Sequence, residues 1–382
     1  MVDVRLSFSN TITALGADVR SVFQALSDGR TGLQKYSGWE RLDMPLCFSR
    51  IEDSLLQERF QAARGEPGKT RLEQMMIASL HDVIQRSGVK LDARTGLIIA
   101  TTKGNIDALA KASEFPAGRA ELVELGEQVA SHFGIPNTPV ILSNACVSGL
   151  LALVVAKRFI ENGTYDHVLV TSGDLLSEFV LSGFNAFQAL SAEPCRPYCA
   201  HRKGINLGEA VASALVTRDA SLFSDDNMRI AGAGSCNDAN HISGPSRTGE
   251  GLFRSINLAM QEADVTPDDI QLISAHGTAT LYNDEMESIA FQRSGLSHVP
   301  LHSLKGYFGH CLGAAGLLET LIAAQCLHQG RTIASAGFSE LGVSQPLNVI
   351  TDAGDADMHR FIKTASGFGG CNTAVVFERP GA

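Results

Sequence analysis

The chain is 382 residues long, 44% hydrophobic and only 19% charged, with 37 glycines; this suits a well-buried globular protein with many tight turns and excludes the disordered classes. Its 31 basic against 41 acidic side chains give a net charge of −10, which argues against a general nucleic-acid binder and obliges any acidic partner to find a local basic patch. The longest strongly apolar run, 150–156, is far too short to cross a bilayer, so no membrane span is expected.

Short β-branched runs alternate with longer amphipathic ones, the pattern of an α/β protein with largely buried sheets. In chain order, the periodicity predicts helices over 18–28 and 71–87, a strand over 96–101, a helix over 120–133 and a strand over 139–142. A helix over 149–162 and strands over 167–171 and 210–216 follow. The remainder reads as a strand over 228–232, a helix over 249–263, a strand over 271–274, a helix over 283–293 and a strand over 300–303. It closes with a helix over 313–329 and strands over 361–365 and 374–377. A strand, a reactive residue and a helix occur in that order around Cys146 and again around His310, so the chain is expected to hold two distant structural copies. Their join is placed near Asn227, in the polar stretch 224–227, giving halves 1–227 and 228–382.

Eight cysteines, at 47, 146, 195, 199, 236, 311, 326 and 371, form no disulfide framework, and MVDVRLSFSN lacks the apolar core of a signal peptide; a reducing cytoplasm is the expected location. Cys195, Cys199 and His201 lack the second ligand pair of a zinc site, so no metal is assigned. Cys146 differs from the others. It follows a strand-like run and precedes the helix pattern Gly149–Ala156, so its sulfur is expected at a helix start, where backbone N–H groups would favour the thiolate. His276 enters the turn Gly-Thr-Ala-Thr, followed by Asn283, Asp284 and Glu287; His310 lies before Gly313-Ala-Ala-Gly316. Two imidazole donors can grip a thioester oxygen as negative charge builds there. The chain ends with a glycine-rich turn, Ser366-Gly-Phe368-Gly369-Gly370-Cys371-Asn372, a source of backbone N–H donors.

These segments, with Cys146, His276 and His310 separated by 130 and 34 residues, resemble the β-ketoacyl-acyl-carrier-protein synthases of the thiolase superfamily. The likeness extends over Gly29-Arg-Thr-Gly32, Arg196-Pro-Tyr198, Gly208-Glu-Ala210 and the segment 237–251, which resembles a mobile loop beside the active site. It implies an α/β thiolase-like fold, two similar halves in a five-layered αβαβα arrangement. It implies Cys146 as acyl-carrying nucleophile and His276 and His310 as the decarboxylation pair, with Lys305 supporting them and Glu319 spaced to pair with Lys305. It further implies that the N–H groups of Cys146 and Phe368 form an oxyanion hole, with Phe368 gating the acyl pocket. Asp238, Thr278, Thr280, Gly369 and Gly370 count as supporting residues. Lys69, Arg71, Arg196, Arg202 and Lys203 are the candidate cations for docking an acidic acyl carrier protein.

The implied reaction is a decarboxylative Claisen condensation of malonyl-carrier protein, in fatty-acid or polyene/polyketide biosynthesis, with no cofactor. The implied assembly is a homodimer or a heterodimer with a related ketosynthase-like subunit. Several residues depart from the family pattern: Ser366 stands where many members carry Phe, Cys199 replaces an acid, Cys371 replaces Thr, and the connection around 38–70 reads as shortened. Two alternatives stay open, a thiolase acting on coenzyme A thioesters and a chain-length-determining partner that is not itself an enzyme.

Overall fold

The computed structural model describes residues 2–36, 45–238, 240 and 244–381. The first half runs β1 (Arg5–Ile12), α1 (Val19–Ser27), β2 (Gln34–Tyr36), β3 (Leu46–Ser49), α2 (Asp53–Ala62), α3 (Arg71–Ser87), β4 (Thr95–Ala100) and α4 (Leu122–Phe133). It continues with β5 (Val140–Leu142), α5 (Ser148–Glu161), β6 (His167–Asp174), α6 (Glu178–Ala186), β7 (Leu207–Gly208) and β8 (Ala210–Thr217). The second half runs β9 (Met228–Asn237), α7 (Glu250–Ala263), β10 (Leu272–Ser274), α8 (Leu281–Arg293), β11 (Pro300–His302) and α9 (Lys305–Phe308). It ends with α10 (Ala315–Gln329), β12 (Asn348–Val349), β13 (Arg360–Gly367) and β14 (Cys371–Glu378).

The same connectivity occurs twice. Spatial order is β5-β4-β6-β8-β1 in the first half and β11-β10-β13-β14-β9 in the second, with β12 added outside β11. In each set the first three strands are parallel and the last two pair antiparallel. The sets meet where Leu6 of β1 pairs with Met228 of β9. Alternate strand residues point to opposite faces, and that alternation sorts them into layers. Leu97 and Ile99 of β4 pack with α3 and α4, whereas Ile98 and Ala100 join α1, α5 and α10 in the central layer. Across that layer Phe361 and Val375 face inward, while Ile362 and Val376 pack against α7 and α8. The order is therefore helices, sheet, helices, sheet, helices.

Where the structure departs from the periodicity, packing explains it. β9 runs five residues past the expected end at 232 because Gly232 and Gly234 admit the α7 backbone: a Cβ there would lie 2.1 Å from the carbonyls of Ala259 and Ser255. β1 was not expected, and it carries the polar residues Ser7, Asn10 and Thr11. They are buried and bonded, for example Thr11 Oγ1 to the Val211 carbonyl at 2.8 Å. α3 matches its expected span because Thr70 and Glu73 form a reciprocal N-terminal cap and Gly88, at φ +63°, ends it.

The two central helices meet at their N-termini. A Cβ on Gly149 of α5 would lie 2.5 Å from the Gly313 carbonyl, and one on Gly316 of α10 would lie 2.6 Å from the Leu150 nitrogen. Ser172 and Asp174 at the end of β6 fasten the same crossing, bonding the Gly313 carbonyl at 2.9 Å and its N–H at 2.7 Å. Gly149→Ala is expected to cost about 1–3 kcal/mol or more through overpacking against backbone. Gly183→Ala, where a new Cβ meets nothing within 4 Å, should be neutral or stabilising. Urea unfolding of both variants checks this; equal stabilities would refute the close-approach reading.

Candidate active site

Cys146 sits in the β5–α5 turn, where Ala145 adopts φ +45°, an uncommon left-handed conformation for a non-glycine residue. Gly367, at the end of β13, lies against this turn: a Cβ there would come 3.0 Å from the Cys146 nitrogen. His276 follows β10, and its backbone N–H is held by Glu287 at 2.9 Å while its carbonyl accepts from Lys305 Nζ at 2.5 Å. Glu287 also takes the Gly277 N–H and the Tyr198 hydroxyl, and Asp284 takes the N–H groups of Thr278 and Tyr198. Two buried carboxylates one helical turn apart on α8 thus fix the Gly-Thr-Ala-Thr turn. His310 is fixed from the other side, its N–H bonded to the Asn206 carbonyl at 2.7 Å and its own carbonyl to the Gly208 N–H at 3.0 Å.

The two imidazoles meet edge to face with centroids 5.1 Å apart. They and Cys146 line one cavity of about 430 Å³, together with Phe368, Asp238, Thr278, Thr280, Gly369 and Gly370. Lys305 and Glu319 lie behind it, fully buried and paired at 2.8 Å. Phe368 is 37% exposed and its ring packs on Phe184 and Phe187 at centroid distances of 5.8 and 5.3 Å. Gly369 and Gly370 on its far side hold φ +81° and +78°, conformations that other residues rarely adopt. Ser366 is buried on the cavity wall and donates to Asn372 Oδ1 at 2.8 Å. In the segment 237–251, Ala239 and residues 241–243 lie outside the described residues, as do 37–44 of the early connection. Asp238 accepts the Gly251 N–H and donates its own N–H to the Gly370 carbonyl, so it ties that segment to the glycine turn.

The electrostatics bear on one expectation. Burial pushes the Cys146 thiol up to about 12, with the Lys305 ammonium pulling against it. A helix N-terminus offers about 0.3–2 kcal/mol, roughly one pKa unit, which does not reverse that displacement. Burial thus favours the neutral thiol at rest over the thiolate expected from its position. Burial, then the Lys305 ammonium, also holds His276 and His310 well below the ordinary histidine value, so both rings are neutral. Both nitrogens of His310 lack a protein partner among the described residues.

The docking candidates divide. Arg71 and Arg202 are engaged within the fold, although Arg202 also lines the cavity. Arg71 forks onto buried Glu209, with Nη2 at 2.6 Å, and also binds Asp53 and the Ile51 carbonyl. Arg202 is buried, donates to the carbonyls of Cys199 and Gly342, and faces Asp284 at 3.7 Å. Lys69 donates to the Gln128 side chain at 2.6 Å in a separate surface cleft, and Arg196 packs its stem against Gly337. Lys203 is exposed at the cavity mouth, beside Glu193 at 2.8 Å.

Sequence reasoning missed Lys363, whose Nζ reaches Glu319 Oε2 at 2.7 Å, and Asp174, which binds Thr101, Thr102 and Gly313 at the helix crossing. Lys363 had a signal: a lysine inside the apolar strand run Phe361–Ala365. Asp174 had none.

A cavity that ends on a buried thiol and two neutral imidazoles, set where two duplicated α/β halves meet, places the protein among the condensing acyltransferases of thiolase-like fold. More narrowly, the chain belongs to the beta-ketoacyl synthase family: residues 10–221 match the family's N-terminal domain and 228–339 its C-terminal domain. It is 25% identical to a 3-oxoacyl-[acyl-carrier-protein] synthase 2 of Vibrio harveyi over 96% of each chain. It is 29% identical to nodulation protein E of Rhizobium leguminosarum bv. trifolii over 72% of this chain and 70% of that one. Among solved structures, the complex of a ketosynthase (ApeO) with its chain length factor (ApeC) from Xenorhabdus doucetiae contains a chain that matches with a TM-score of 0.86. That match has 26% identity and covers 98% of each chain.

Proposed function

We propose that this chain is a 3-oxoacyl-[acyl-carrier-protein] synthase that joins an acyl group held on Cys146 to a malonyl unit carried by an acyl carrier protein, in fatty-acid or polyketide assembly. The observation that carries this reading is the convergence of Cys146, His276 and His310 on one cavity floor. In the first half-reaction the Cys146 sulfur attacks the acyl thioester carbon, a neutral imidazole takes the thiol proton, and the carrier thiol leaves with a proton. In the second, the malonyl carbon–carbon bond breaks, CO2 departs and the electron pair moves onto the thioester oxygen as an enolate. The imidazole N–H groups stabilise that oxygen. The enolate carbon then attacks the acyl carbon on Cys146 and expels the sulfur. The N–H groups of Cys146 and Phe368 are the proposed donors to the acyl oxyanion, and the Phe368 ring is the proposed gate.

A thiolase is disfavoured, because the late cysteine it would need, Cys371, is absent from the cavity lining and gives its S–H to Asn144 Oδ1 at 2.8 Å. A non-enzymatic partner role is disfavoured by the retained thiol and imidazoles. The two halves are proposed to join near Asn227. No helix among the described residues is long and apolar enough to cross a membrane, and the cytoplasm is the proposed location.

Cys146→Ala is expected to abolish acyl addition as read by intact mass after incubation with an acyl carrier thioester. His276→Ala and His310→Ala should slow malonyl decarboxylation by about 10²–10³. Their acyl loading should also slow, since the thiol is neutral at rest, but should recover as pH rises toward the raised Cys146 value while decarboxylation does not. Persistent acylation of Cys146→Ala, or equal pH rescue of both half-reactions, would contradict this assignment.

For the carrier, Lys203 at the mouth is the docking cation best placed to act. Lys203→Glu should raise KM for a carrier-bound substrate, more so at low salt, and leave turnover of a small acyl thioester nearly unchanged. Equal defects with both substrates would place Lys203 in the site instead.

We also propose a dimer, either of this chain with itself or with a ketosynthase-like subunit, as in the ketosynthase–chain length factor complex. Sedimentation of the purified chain alone gives the mass of two chains in the first case and of one in the second.

A further inference from the structure

We propose that Lys363 is a positioning residue of this site, fixing the end of β10 and adding a second buried cation behind the two imidazoles; this rests on the condensation reading above. Lys363 stands beside Ser274, the last residue of β10, in the parallel pairing of β13 with β10. It is fully buried, and its Nζ donates to the carbonyls of Ser274 and Ala275 at 3.1 and 3.2 Å and to Glu319 Oε2 at 2.7 Å. Lys305 Nζ takes the next carbonyl, that of His276, and the other Glu319 oxygen. Successive carbonyls in an extended strand point to opposite sides. Here three in a row converge on two ammonium groups, so the cations define the turn that delivers the His276 ring to the cavity.

The arrangement is unusual in its charge. Two ammonium groups share one carboxylate, although one-to-one pairing would cost less in a buried site. The groups facing Lys363 are Glu319 from α10, Lys305 from α9, Glu287 from α8, His302 from β11, and His276 and His310 at the cavity. Glu287 is spent on the N–H groups of His276 and Gly277 and on the Tyr198 hydroxyl, on the far side of the turn. The excess positive charge beside Glu319 therefore bears on the imidazoles. It discourages their protonation, as burial does, and favours negative charge on an oxygen that their N–H groups hold.

The test uses the full-length chain with Lys363→Gln, which keeps amide donors without charge, and Lys363→Met, which keeps neither. Both are expected to load Cys146 more slowly at neutral pH, as the histidine variants do, and to recover loading as pH rises. Malonyl decarboxylation should fall roughly 10- to 100-fold in kcat at near-constant KM, the scale expected for a misplaced catalytic group. The acid limb of kcat should move to higher pH, because a histidine freed from a nearby cation binds its proton more readily. A folded Gln variant with an unmoved acid limb and unchanged decarboxylation would overturn the proposal. So would parallel loss of both half-reactions without a pH shift.

If neither variant folds, ring-nitrogen NMR of the unmodified protein tests a condition the proposal requires. His276 and His310 should stay neutral well below the ordinary histidine value, whereas protonation near about 6.5 would refute the role of the cation pair. Absence of condensation by the unmodified chain would remove the condensation reading itself and leave this titration standing.

Discussion

The Glu319 carboxylate, shared by Lys305 and Lys363, is the interaction on which the site depends. Burying three ionised groups is expensive, and each must be bonded on every side for the cluster to persist. Burial alone would raise Glu319, yet the two ammonium groups outweigh it and keep the carboxyl below its ordinary value, so it stays charged. Through one lysine it grips α9, through the other β13, and through both the carbonyls that end β10. A helix in the central layer, a strand in the second sheet and the turn bearing His276 are thereby held by a single side chain.

Duplication explains how reactive groups so far apart in sequence become neighbours. Each half places a helix after corresponding strands, α5 after β5 and α10 after β11 and α9, and these two helices start against one another in the central layer. The first half spends its helix start on Cys146. The second precedes its helix with His310. The contact is so close that glycine is required on both helices, because a methyl group at Gly149 or Gly316 would overlap backbone atoms of the other. The relative placement of Cys146 and His310 is thus set by main-chain packing, which side-chain drift cannot loosen.

Much of this was legible from the residues. The helices over 71–87 and 149–162 and the strands over 96–101 and 139–142 follow directly from periodicity, and Cys146, His276 and His310 stood out by their glycine-lined settings. What stayed hidden were features settled by tertiary partners. The polar residues of β1 are buried only because other strands and loops satisfy them, and the glycines of β9 look like strand breakers until α7 lies on them. Arg71 and Arg202 look like surface cations because Glu209 and Asp284, which absorb them, are 138 and 82 residues away. The upward push of burial on the Cys146 thiol stayed hidden for a related reason: a helix start is visible in sequence, whereas the depth of burial is not.

The neutrality of that floor has a consequence for what can enter. A thiol and two uncharged rings carry far looser hydration than a thiolate–imidazolium pair, so a hydrocarbon chain arriving against them strips no tightly bound water from an ion. In the proposed reaction, charge appears on these groups only while bonds are being made and broken, after the substrate itself has displaced the solvent. The pocket can therefore be greasy enough to hold an acyl chain and polar enough to perform ionic chemistry, because the two properties are separated in time.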